Sequence, residues 1–181
     1  MNSSIEFEKV DPLIVKDSEL SFENQTFLKQ YGFLGWVSPH LYFGGFENDQ
    51  ILPYLKNWTW IADWNTDKKL ALEKYGNMIV IGCGPDNEPF VVEPRKSLIY
   101  MVSESLELLP LNANLQNLAA TASAFLDMVD KALDIHLDAA QKCVVPFELV
   151  NEFISNFEEI EKQVKGVNLW VQWANERSEN L

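Results

Sequence analysis

Short apolar runs alternate with polar breaks through the middle of the chain. The runs are Met78–Ile81, Phe90–Val92 and Leu98–Val102, and their Val, Ile, Phe and Tyr residues suit a pleated surface. The breaks read GCGPDNEP and EPRKS, whose Gly, Pro, Asp and Asn residues supply turn dihedrals. This pattern predicts a three-stranded antiparallel meander at the centre of a sheet.

Two long amphipathic helices are predicted after the meander. In the first, about Leu115–Leu137, one face carries apolar residues at three- and four-residue steps: Leu118, Ala122, Phe125, Val129, Ala132 and Leu133. The second should open at Pro146, in the N1 position that proline favours, and end near Gly166. Its apolar stripe is Phe147, Val150, Phe153, Ile154, Phe157, Ile160 and Val164.

Shorter elements are predicted before the meander. A helix over Phe22–Tyr31 should stop at Gly32, and His40–Phe43 and Asn57–Trp64 read as strands. A short helix follows Thr66, and Gly76 can end it in the left-handed conformation.

Four stretches are less regular. Residues 1–19 read as a lead-in in which Pro12 opposes a helix, and a Leu-rich loop runs from Glu104 to Asn114. Ile51–Leu55 fits either a helical turn or an edge segment. Val167–Trp173 fits a terminal edge strand or a short helix, and both alternatives remain open.

The fold class expected from these elements is α+β: a mixed, largely antiparallel sheet with the meander at its centre, flanked by helices. The chain has 181 residues, and no linker or repeat divides it. One domain spanning residues 1–181 is therefore predicted.

The charge of the chain is strongly negative, with 14 basic residues, 27 acidic residues and a net charge of −13. Such a field repels nucleic-acid phosphates and anionic lipid, and it attracts basic proteins. Nucleic-acid and membrane partners are therefore not expected. The acidity also fits a protein that is only kept soluble by it.

Six carboxylates lie on the polar faces of the two long helices and are the candidate partner-binding residues. They are Asp127, Asp134, Asp138, Glu148, Glu152 and Glu159, with Lys131 among them. Two interpretations stay open: a solvated helix surface, or a docking surface for a basic partner.

No cofactor, metal or catalytic site is predicted. The two histidines, His40 and His136, and the two cysteines, Cys83 and Cys143, lack metal-ligand or nucleophile spacing. The segment GCGPDN matches neither a phosphate loop nor a dinucleotide fingerprint, and a hairpin turn is the simpler interpretation. The acidic N-terminal residues resemble no signal peptide, and no apolar run reaches the roughly 20 residues of a membrane span. A cytoplasmic protein is expected.

The succession of motifs resembles the SUKH superfamily, which groups bacterial toxin-immunity proteins with fungal regulators of cell-wall synthesis. Ile79-Val80-Ile81-Gly82 leads through a turn to Phe90-Val91-Val92-Glu93-Pro94 and then to Leu98-Ile99-Tyr100-Met101-Val102. The helix that opens with Leu118–Leu126 contains Ser123-Ala124-Phe125-Leu126. The similarity covers about residues 22–133, and residues 146–181 form a helical C-terminal extension.

The resemblance implies an α+β fold and a non-enzymatic binding protein, with no shared catalytic residues to carry over. Bacterial members are generally taken to neutralise toxins, often nucleases, by direct contact. The first hypothesis is therefore an immunity protein that occludes a cognate, basic toxin. The alternatives are a regulatory or scaffold protein without a toxin partner and, from another class, an enzyme with a scattered site. The oligomeric state is left open.

Overall fold

The computed structural model describes residues 6–37, 41–44, 51–58, 68–84, 87–135, 144–164 and 168–179. The fold is α+β, as predicted. The α-helices are α1 (Pro12–Asp17), α2 (Phe22–Gln30), α3 (Lys68–Tyr75), α4 (Leu115–Ile135), α5 (Phe147–Ile160) and α6 (Leu169–Glu176). The strands are β1 (Gly35–Val37), β2 (Leu41–Phe43), β3 (Ile79–Cys83), β4 (Pro89–Val92), β5 (Ile99–Val102), β6 (Leu108–Asn112), β7 (Val145–Pro146) and β8 (Ser178–Glu179).

The main sheet has six strands in the order β1-β2-β3-β4-β5-β6, and every neighbouring pair is antiparallel. The predicted meander is confirmed as β3, β4 and β5, in which Val80 faces Val91 and Val91 faces Tyr100. In the described residues, parallel pairing occurs only between the two-residue strands β7 and β8.

Both faces of the sheet are buried. Successive side chains point to opposite faces of a strand. Ile79 and Ile81 therefore lie in the larger core with α1, α2, α4, α5 and α6, whereas Val80 lies in a smaller core with Trp58 and α3. A register shift between Val80 and Gly82 interrupts the alternation, so Cys83 also joins the smaller core. Burial on both faces explains why the central runs read as continuously apolar rather than alternating.

Two prolines take different helix positions from those predicted. Pro12 was expected to oppose a helix, but it is the first residue of α1, where the Asp11 side chain accepts a hydrogen bond from the Leu13 N–H (2.8 Å). Proline is tolerated there because the N1 N–H has no intrahelical partner. Pro146 precedes α5 as its N-cap, because its extended backbone belongs to β7, and α5 begins at Phe147.

The predicted Leu-rich loop is wrong in its second half, because Leu108–Asn112 forms edge strand β6 against β5. The strand was not predicted because proline is unfavourable within most strands, and this one contains Pro110. Pro110 sits opposite Tyr100, next to a register shift, and an edge strand tolerates the missing N–H.

The C-terminal region is helical where the sequence left two alternatives. Asn168 caps α6: its side chain accepts from the Trp170 N–H (2.8 Å) and donates to the Leu111 carbonyl (2.9 Å). The preceding helix, α5, ends at Ile160 rather than near Gly166, because the side chain of Glu161 turns into the interior.

Several local predictions before the meander also have outcomes. α2 ends as predicted, with Gly32 at φ +101°. Gly76 does not take the left-handed conformation, and its N–H continues the helical pattern to the Leu72 carbonyl (3.0 Å). The strand predicted from Asn57 is wrong at its start, since Leu55–Asn57 is a 3₁₀ turn, and residues 59–67 lie outside the described residues. The open choice at Ile51–Leu55 resolves into this turn and a bridge between Tyr54 and Ile79.

A buried polar network joins the long helices to the sheet. The Glu161 side chain accepts hydrogen bonds from the Ala113 N–H (2.8 Å) and from the side-chain amides of Asn117 (3.2 Å) and Asn112 (3.4 Å). Asn112 in turn accepts from the indole N–H of Trp170 (2.8 Å). One carboxylate therefore connects α4, α5 and β6, and Asn112 extends the connection to α6.

Replacing Phe125 by Ala should lower the free energy of unfolding by roughly 3–5 kcal/mol. The ring is 1% exposed and lies 5.5 Å from the Phe153 ring and 5.4 Å from the Trp170 ring, centroid to centroid. Urea unfolding measures the loss, with Phe22→Ala as the control because Phe22 is 86% exposed. A loss below 1 kcal/mol, or equal losses for the two variants, would contradict this packing.

The Glu161 network predicts a graded response. Glu161→Ala removes the acceptor of a buried backbone N–H and should cost about 1–3 kcal/mol. Glu161→Gln keeps one carbonyl oxygen and should cost less, whereas Glu159→Ala at an exposed site should stay within about 0.5 kcal/mol. The measurement is again urea unfolding. Equal stability of the Ala and Gln variants would show that the hydrogen-bond acceptor at position 161 does not contribute to stability.

The Cys83 thiol should be unreactive in the folded protein. Burial raises its pKa from 9.0 to about 12, with a further contribution from Glu88. At pH 8 the thiolate fraction should therefore be about a thousandfold lower than in the unfolded chain, since each pKa unit is tenfold. Labelling with a neutral disulfide reagent in a Cys143→Ser background measures this. Reaction of native Cys83 at the unfolded rate would refute the assignment.

Candidate binding surfaces

Helices α4 and α5 form an antiparallel pair whose outer side carries the predicted acidic residues. The pairing direction follows from two contacts: Asn117 bonds the Ile160 carbonyl (3.2 Å), and Lys131 bonds Glu152 (2.6 Å). The predicted residues that are described all have exposed side chains: Asp127, Asp134, Glu148, Glu152 and Glu159. Asp138 lies outside the described residues.

The structure brings three charged side chains together in a cleft between the two helices. Lys131 forms an ion pair with Glu152, with about half of each side chain exposed, and Asp127 lines the same cleft. The hydrogen bond to Glu152 raises the pKa of Lys131, and Asp127 adds to the shift. Water screens such an exposed pair, so its main effect is to neutralise one position of an otherwise acidic surface.

Sequence reasoning missed two further carboxylates on these helices, Asp130 and Glu158. Asp130 is half-buried on α4, and Glu158 is exposed on α5. Together α4 and α5 carry seven carboxylates and one ammonium, which leaves a net charge of −6. We call these seven carboxylates, with Lys131, the acidic face; Glu158 lies at its border, where it lines the groove between α5 and α6. A helical projection that includes every charged residue, rather than one stripe, would have found both.

A second surface lies between α2 and the first turns of α4. It is an open groove of about 540 Å³ with aromatic walls, lined by Phe7, Phe22, Glu23, Thr26, Phe27, Gln30, Tyr31, Gln116 and Ala119. Phe22 is 86% exposed and Tyr31 is 43% exposed. The sequence analysis did not single out Phe22. Its position beside the cap Ser21, off the buried stripe of Phe27 and Leu28, is the signal that could have found it.

The aromatic residues at the end of this groove form a contiguous cluster. The Phe27 ring lies 5.1 Å from that of Tyr31 and 6.1 Å from that of Phe7, measured between centroids. These are ordinary distances for attractive aromatic pairs. The α2–α4 groove therefore has a fixed apolar end rather than a collection of loose side chains.

Three tryptophans near loops or the C-terminus, Trp36, Trp170 and Trp173, lie in three different environments. Trp170 is fully buried and belongs to the core, and Trp173 is half-buried against it at 5.4 Å between ring centroids. Trp36 is 69% exposed on edge strand β1, beside the Tyr42 ring. Only Trp36 of these three is placed where a partner would meet an indole ring.

The described residues contain no group of three or more His, Cys, Asp and Glu side chains that could hold a metal ion. Both histidines and Cys143 lie outside the described residues, so the absence of a metal requirement stays a prediction. Within the same residues, no helix is long and apolar enough to cross a membrane.

The chain was compared with known proteins at three levels. No family model matches the sequence, and neither the curated proteins nor the solved structures contain a significant match.

Proposed function

We propose that this chain is a non-enzymatic, acidic binding protein that neutralises a cognate basic toxin in the cytoplasm by occluding the toxin's functional surface. The observation that carries the proposal is the acidic face, where seven carboxylates stand against one ammonium. The resemblance to the SUKH superfamily supports the same class of function. A nuclease is the favoured kind of toxin, because its substrate-binding surface must be basic to hold phosphates.

The mechanism follows from electrostatics. An acidic surface competes with nucleic acid for a basic cleft and accelerates the encounter by steering, by about 10- to 1,000-fold over an uncharged surface. The acidic face suits this because its carboxylates project from two helices whose other sides are held in the core. The inner sides of the two helices are buried in the core through residues such as Ala122, Val150 and Phe153. The surface is thus fixed before the partner arrives.

Reversing three charges of the acidic face should slow association with the toxin by about tenfold or more. The variant is Asp134→Lys, Glu148→Lys and Glu159→Lys, which leaves the Lys131–Glu152 pair in place. Higher salt should slow the wild type in the same way, because exposed charges are screened beyond about 8–10 Å. Dissociation should change less. Stopped-flow or surface-binding kinetics with the cognate toxin domain measures both rates.

The matched control is Glu73→Lys, Glu93→Lys and Glu107→Lys, which makes the same change in net charge at exposed positions outside the acidic face. Both triple variants should keep the fold, because exposed sites tolerate substitution within about 0.5 kcal/mol. Equal slowing by the two variants would mean that only net charge matters. An association rate indifferent to salt and to both variants would remove the basis of the proposal.

A further inference from the structure

Exposed apolar side chains are concentrated near the N-terminus. Among the described residues, four of the eight exposed large apolar side chains fall within residues 13–31: Leu13, Ile14, Phe22 and Tyr31. Phe22 and Tyr31 both line the α2–α4 groove. The Phe22 ring is 86% exposed at the mouth of an apolar groove, so it contributes little to folding. An exposed apolar ring in such a position is typical of a binding surface.

The walls of the groove are held in place by hydrogen bonds between its two helices. Asn24 of α2 is fully buried, and its side-chain oxygen accepts from the Leu115 N–H at the start of α4 (2.9 Å). The side chain of Asn114 donates to Glu23 (2.8 Å). The width of the groove is therefore set without a ligand, which lowers the ordering cost of filling it.

The α4 side of the α2–α4 groove carries small side chains, which leave room for a bound helix. Ala119 contributes only a methyl group to the lining, and the next outward positions on α4, Ala120 and Ser123, are also small and exposed. Small side chains let another helix approach closely, and a groove between two helices with aromatic ends is a common seat for the apolar face of an amphipathic helix.

The charges around the groove favour a bound helix whose polar face is basic. Among the described residues that line the groove, Glu23 is the only one with a charged side chain. Farther along α4 the same exposed surface leads to Asp127 and the acidic face. Lys9 donates to the Gln30 carbonyl (3.4 Å), two turns along α2 from Glu23. A second copy of this chain would bring two molecules of net charge −13 together, so it is disfavoured as the occupant.

We propose that the α2–α4 groove receives the apolar side of a basic amphipathic helix from the partner, with the Phe22 ring as its main contact. The helix's Lys or Arg side chains face Glu23 and the acidic face. This inference rests on the proposed function, because the partner is the same one that binds the acidic face. The groove supplies the apolar contact that the acidic face lacks. Charges then govern how fast the partner arrives, and the groove governs how long it stays.

The probe is a fluorescein-labelled, 16-residue Lys/Leu peptide with one leucine face, and binding to the full chain is followed by fluorescence anisotropy at 150 mM salt. Phe22→Ala should weaken binding by about tenfold or more, mainly through faster dissociation. The matched control is Phe147→Ala, another exposed phenylalanine, which lies at the start of α5 and should change the Kd less than twofold. A scrambled peptide of equal charge without a leucine face should bind at least tenfold more weakly.

The outcomes separate this inference from the proposed function. If the triple reversal of the acidic face slows association but Phe22→Ala leaves dissociation unchanged, the groove assignment fails and the acidic surface stands. If Phe22→Ala has its effect while the triple reversal has none, the groove stands and the acidic docking surface fails. Absence of peptide binding, equal binding of the scrambled peptide, or a wild-type dimer that Phe22→Ala dissociates would each overturn the groove assignment.

Discussion

Glu161 is the point on which the arrangement of the long helices depends. Its carboxylate is 4% exposed, and a buried carboxylate is costly unless donors replace the lost water. One donor is the nearby Gln163 N–H, and the others come from the junction of β6 and α4: Asn112, Ala113 and Asn117. They converge only when the end of α5 lies beside the start of α4, so satisfying one charge determines how these helices sit on the sheet.

The same region also sets the position of the last helix. Asn112 accepts from the Trp170 indole, and Asn168 bonds the Leu111 carbonyl while capping α6. The Trp170 and Phe125 rings then meet in the interior, 5.4 Å apart between centroids. The buried hydrogen bonds and the packing of the aromatic rings therefore require the same position of α6. Such consistency between interactions favours a single native structure.

Burial of both sheet faces restricts where a partner can bind. Among the described residues, α3 packs on one face of the central strands and the other helices pack on the opposite face, which leaves the outward sides of the helices for a partner. Helix α4 is central to both candidate surfaces: its first turns form one wall of the aromatic groove, and its later turns carry half of the acidic face. One rigid element therefore presents an apolar contact and a charged contact at a fixed separation.

Local sequence patterns were sufficient to predict the elements that depend on one segment alone. The three β-rich runs predicted the central meander, and the period of α4 identified Phe125 as a core residue and Asp127 as an outward one. The α4 prediction succeeded because it depends on the side-chain period of one helix. The strand predictions succeeded because each depends on the β propensity of one short run and the turn residues beside it. The acidity of the two long helices could also be read directly, since carboxylates on the polar face of an amphipathic helix point to solvent.

Other features depend on contacts between residues that are distant in the sequence, and these could not be predicted from any one segment. β6 exists because β5 offers a pairing edge, and α6 is a helix because Asn168 is anchored to Leu111. The pairing of Lys131 with Glu152 and the groove beside Phe22 likewise require the packed positions of α2, α4 and α5. Local propensity describes one segment at a time, whereas burial, capping across elements and surface shape arise only when the segments meet.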